Sequence, residues 1–192
     1  MKRKLGTTII LFIFLTLFSG CGFNDTDPTE AIEKFFWNYQ NLDESAVGQL
    51  QLGLLLEEEL SDTSKELYLE AMKRQYENLT YDIKDVQKFS NTAVASVVIT
   101  VYDFNNTEKT TKEYIETAET GIFVDPNGAP VAGAYERYLY NEMSKEEERV
   151  TYNITVSLIE KDSGYEASVL SSETLEMIQG LYSKENSEEE TE

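Results

Sequence analysis

The chain has 192 residues, with 36 acidic against 16 basic and no histidine, and a formal net charge of −20 at neutral pH. A balance this acidic is repelled by phosphate backbones, so nucleic acid is excluded as a partner. One cysteine and no histidine rule out His-containing zinc sites, Cys–His nucleophile pairs and Ser-His-Asp triads; with no Gly-rich phosphate loop and no Asp-x-Asp-x-Asp-Gly calcium loop either, no cofactor and no metal are expected.

The first segment reads as an address. Lys2, Arg3 and Lys4 form a basic start, Leu5 to Phe18 is apolar, and Ser19-Gly20 precede Cys21. This is the layout of an export signal, and the apolar run is shorter than the ~20 residues a spanning helix needs. Leu17-Phe18-Ser19-Gly20-Cys21 resembles a bacterial lipobox, with Phe18 where leucine is usual. Cys21 has no second cysteine to pair with, and diacylglyceryl thioether formation explains an odd cysteine in an exported chain. The expectation is a signal peptide over 1–20 and lipid attachment (palmitate-type acyl chains) at Cys21. Each buried methylene contributes about 0.8 kcal/mol, so two or three chains anchor stably. The chain would then sit on the extracytoplasmic face of the cell membrane, in an envelope of the Gram-positive kind.

Residues 21–26 read as a tether and 27–182 as one α+β domain. Asp27-Pro28-Thr29-Glu30 is a helix start, with Asp27 capping and Pro28 at the first position. Ile32, Phe35, Phe36 and Tyr39 follow at helical spacing, with Trp37 at the edge of that face, packed in part or free to stack on a ligand. A shorter helix is expected over Asp43–Leu56 and a third from Ser64 to Asn78, with Tyr68, Met72, Tyr76 and Leu79 on one stripe. Glu57-Glu58-Glu59 between them is a solvated stretch.

The period then falls to two. Leu79, Tyr81 and Ile83 alternate with polar residues, and Thr92 to Phe104 is a β-branched run. Ala93, Ala95, Val97, Ile99 and Val101 share one of its faces, and Asn105-Asn106-Thr107 ends it. A helix is expected over Glu108–Thr120, with Tyr114, Ile115 and Ala118 as its apolar side and Gly121 as its stop. Asp125 to Pro130 is a turn-rich break, and Ala134 to Glu148 returns to helix. Arg149 to Glu160 alternates again, with Val150, Tyr152, Ile154, Val156 and Leu158 on one face. Lys161 to Gly164 turns into a strand over Tyr165–Leu170, and Ser172 to Gly180 is a final helix. Residues 183–192 read as an acidic disordered tail.

Three parts of this layout carry a resemblance: Asp27-Pro28 opening a helix through Ile32, Phe35 and Phe36; Tyr81 to Val86 followed by Ala93 to Val101; and Val150 to Ile159 with Tyr165 to Val169, closed by Ser172 to Gly180. Together they resemble the nuclear transport factor 2-like (cystatin-like, ketosteroid-isomerase-like) domains found in bacterial lipoproteins of unknown function. The stretch Glu108 to Glu148 is longer than the simplest members carry, and Tyr165 stands where such lipoproteins often have Trp. The resemblance implies N-terminal helices packed on a curved antiparallel sheet, a cone whose mouth can hold a pocket. Phe36, Tyr81 and Tyr152 are the candidate lining of that ligand pocket. The superfamily's enzymes use a buried Asp with Tyr or carboxylic-acid donors; no position here matches them, so no catalytic residue carries over.

The leading functional expectation is a membrane-anchored, non-catalytic binding or accessory domain. Its partners would be the membrane, through covalent lipid, and an envelope protein or small molecule. The alternative is an enzyme using the cone's cavity for carboxylate/Tyr acid–base chemistry.

Overall fold

The computed structural model of the chain describes residues 27–56, 60–117 and 122–183. The expected signal segment, the tether with Cys21, the Glu57–Glu59 stretch, Ala118 to Gly121 and the tail from 184 onward lie outside the described residues. Helix α1 (Pro28–Gln40) starts as expected: the Asp27 carboxylate accepts from the Thr29 N–H at 2.7 Å. Asp43 does the same for α2 (Glu44–Leu56), accepting from the Ser45 N–H at 2.9 Å. Ser61 caps α3 (Asp62–Glu77), which begins two residues before the expected Ser64.

Strands β1 (Thr80–Lys88) and β2 (Thr92–Tyr102) form a hairpin. Lys84 is the extra residue of a bulge in β1, which lets Ile83 and Val86, three positions apart, share a face with Tyr81. After α4 (Phe104–Thr117) and α5 (Ala134–Met143) come β3 (Arg149–Lys161), β4 (Gly164–Ala167) and α6 (Ser172–Gln179). The fold is α+β: among the described residues, six helices and one four-stranded antiparallel sheet of order β1-β2-β3-β4. The sheet is open, with β1 and β4 as its edges.

Helices cover one face of the sheet. Val97, Ile99, Val101, Ile154, Val156 and Leu158 point to them, each at most 5% exposed, while Ser96, Asn153, Thr155 and Ser157 on the other face meet solvent. Each large aliphatic side chain buried this way contributes roughly 1.5–3 kcal/mol. Helix α1 runs antiparallel to β1 across the covered face. Its Phe36 stacks on Tyr81 at 4.4 Å, and its Gln40 amide donates to the Leu79 carbonyl at 2.8 Å. Across the same face, the Lys88 ammonium of β1 lies 5.0 Å over the Tyr165 ring of β4, with two strands between them.

Three elements differ from the sequence expectation. Asn105-Asn106-Thr107 does not end β2; it is the first turn of α4, because the Asp103 carboxylate accepts from the Asn106 N–H at 3.0 Å and starts the helix there. The buried side of α4 is Phe104, Thr107 and Thr111, while Tyr114 is 44% exposed. Helix α5 stops at Met143 instead of reaching Glu148. There the Arg74 guanidinium donates to the Glu146 carbonyl at 2.6 Å, and the Glu146 carboxylate accepts from the Glu147 and Glu148 N–H groups. Strand β4 pairs only through Ala167.

Candidate functional site

At the end of the sheet where β2 finishes and β3 begins, three distant segments are joined by one buried amide. Gln75 of α3 is fully buried. Its Nε2 donates to the Tyr102 carbonyl at 2.9 Å and to the Gln179 carbonyl at 2.8 Å, while its Oε1 accepts from the Tyr102 N–H at 2.8 Å. Both polar ends of the side chain are satisfied, which a buried amide requires. Gly180 follows in the left-handed region at φ 72°, where its N–H donates to the Met177 carbonyl and the Leu181 N–H to Glu176, a Schellman-type helix stop. A Cβ at Gly180 would stand 2.1 Å from the Tyr102 carbonyl oxygen, so the close approach as well as the positive φ requires glycine.

This junction aims Leu181, Tyr182 and Ser183 back along the start of β3. Between them and α4 lies an open cleft of about 630 Å³. Its apolar floor is Val150, Tyr152, Leu181 and Tyr182; its rim carries carboxylates such as Asp103 and Glu113, with the Lys112–Glu108 pair closed at 2.6 Å. The Tyr152 hydroxyl donates to the Tyr182 carbonyl at 3.1 Å, and the two rings meet edge to face at 5.8 Å. Burial, with Asp103 and Tyr182 adding to it, pushes the Tyr152 phenol up to about 12. Its proton is therefore held at neutral pH, and the ring serves the cleft as an aromatic surface.

The three pocket residues expected from the sequence are placed in one band. Tyr81 faces Ile99 and Ile99 faces Tyr152 across the sheet. Phe36 and Tyr81 are packed on each other inside the α1–sheet contact, with Phe36 fully buried, whereas Tyr152 lines the cleft. Trp37 is 45% exposed on α1. Sequence reasoning missed Leu181, Tyr182 and the α4 wall; the signal for the first two was an apolar pair directly after a helix-ending glycine.

Groups elsewhere in the fold are shifted as well. Burial pushes Tyr39 up to about 12, opposed in part by the bond its hydroxyl makes to Gln49, and raises Tyr76 further. Asp43 and Asp125 are lowered by backbone N–H groups in exposed turns. Among the described residues no cluster of three or more acidic or cysteine side chains is placed to hold a metal, and no helix is long and apolar enough to cross a membrane. No protein-family model matches the chain, and no curated protein or solved structure is significantly similar to it.

Proposed function

We propose that the chain is a lipid-anchored domain on the outer face of a bacterial cell membrane, and that it binds an organic ligand or an envelope partner without transforming it. The observation that carries the reading is the run from Lys2 to Cys21: a basic start, a short apolar stretch and small residues before the one cysteine of the chain. Labelled fatty acid should enter the wild-type protein and not Cys21→Ser; equal labelling of the two contradicts the anchor.

The nuclear transport factor 2-like cone is part of this proposal. A flat sheet would hold β1 and β4 about 14 Å apart, three spacings of ~4.8 Å. The contact between Lys88 and Tyr165 across the covered face supports a sheet curled around α1, as in such a cone.

Binding is supported by the cleft over Tyr152, whose floor is aromatic and aliphatic and whose rim carries both charge signs. A ligand present at a hundred times its dissociation constant stabilises the fold by roughly 2.7 kcal/mol, so a melting-temperature screen of metabolites and envelope fragments detects it. Hits should be lost in Tyr182→Ala and returned chemically unchanged. Turnover of a hit, abolished by one Asp or Glu substitution that leaves the melting temperature intact, contradicts the binding reading.

A further inference from the structure

The two ends of the sheet are unlike, and the chain enters the fold at the end opposite the cleft. Helix α1 finishes beside Leu79, next to the cleft end, and runs back across β1 and β4, so that its start at Asp27 lies towards the opposite end of the sheet, where Lys88 meets Tyr165. Lys88 is the last residue of β1, and the β1–β2 turn beside it meets the β3–β4 hairpin through the Glu160 N–H, which donates to the Asn91 carbonyl at 2.9 Å. Two large apolar side chains stand in solvent at this tip: Phe89 in the turn, 53% exposed, and Ile159, 43% exposed and paired with Thr92. Neither is needed for the core, and an exposed Phe at a turn tip is the kind of side chain that enters a membrane interface.

We infer that this tip, with Phe89 foremost, rests on the bilayer that holds Cys21, and that the cleft over Tyr152 is thereby presented away from the membrane. The inference rests on the lipid-anchor reading. Asp27 lies six residue steps after Cys21, and at ~3.5 Å each they reach at most about 21 Å. The eleven residues of β2 extend about 36 Å from the tip to the cleft end, so the tether is too short to let the cleft end replace the tip at the membrane without laying the domain on its side. An anchored tip meets the bilayer at high effective concentration, so two side chains suffice for a contact that the free domain would not make.

The test places one tryptophan at either end. In a Trp37→Phe background, Phe89→Trp and, separately, Glu147→Trp are expressed in a bacterium, extracted with the membranes, and checked by mass for lipid on Cys21. They are then reconstituted into phosphatidylcholine–phosphatidylglycerol vesicles with brominated acyl chains. Quenching should be at least about threefold stronger for Phe89→Trp than for Glu147→Trp, whose position is exposed in the loop before β3 at the cleft end. With lipid present, equal quenching, or stronger quenching of Glu147→Trp, overturns the orientation and leaves the anchor standing. Shielding of Phe89→Trp from both bromolipid and aqueous iodide means protein covers the tip, and also overturns it. Absence of lipid on Cys21 removes the anchor reading and this orientation together.

Discussion

Gln75 ties α3 to the end of β2 and the end of α6, and Gly180 lets those ends touch. In Gly180→Ala a methyl group must enter space held by the Tyr102 carbonyl while the backbone keeps a positive φ. Steric overlap and strain together should cost about 2–4 kcal/mol, read by urea denaturation. A loss within experimental error of zero would mean that α6 can move off β2 freely. Nothing near Gln75 in the sequence announces its role, because its partners are backbone groups 27 and 104 residues away. Asp27, by contrast, was legible as a cap because its partner is two residues on. Local hydrogen bonds leave a local signature, and long-range ones do not.

The same contrast separates the elements. The long strands were readable because one face is buried and the other is partly or fully exposed, so Val97, Ile99 and Val101 alternate with Ser96, Val98 and Thr100 along the chain. Helix α4 was misplaced because its buried face is Phe104, Thr107 and Thr111. Threonine is a weak helix former and a common strand residue, so the stretch reads as the end of a strand followed by an Asn turn. What fixes it is the Asp103 cap, together with the Thr107 hydroxyl donating to the Glu146 carboxylate at 2.6 Å. Asp103→Ala should lower stability by about 1 kcal/mol and raise hydrogen exchange at the Asn106 N–H. An unchanged melting curve and exchange rate would show that the helix starts for another reason. Of the candidate pocket, the ring types were legible but their division was not. Phe36 finds Tyr81 through the path of α1, and Tyr152 meets the cleft through the turn after Gly180.

For the molecule as a whole, pH dependence follows from its composition. With no histidine, no imidazole titrates between pH 5 and 8. Tyr39 and Tyr152 are raised to about 12 in the folded state from 10.0, and Tyr76 is raised beyond them. Between these values the native state holds more protons than the unfolded one. Stability from these three tyrosines is therefore complete below pH 10 and is lost as pH rises towards 12. Urea midpoints measured from pH 9 upward should fall across that window, together with the appearance of tyrosinate absorbance. Tyrosinate forming in full before any loss of structure would show that these phenols are not protected by burial.

In the proposed reading, Cys21 is the first residue of the working protein and carries its membrane anchor. The mass of the protein extracted from bacterial membranes tests it most directly. The expected product is a chain that begins at Cys21, heavier than its sequence by a diacylglyceryl group, with a Cys21→Ser control that retains residues 1–20 and carries no lipid. A membrane-extracted chain with an unmodified Cys21, or one that still begins at Met1, would contradict it.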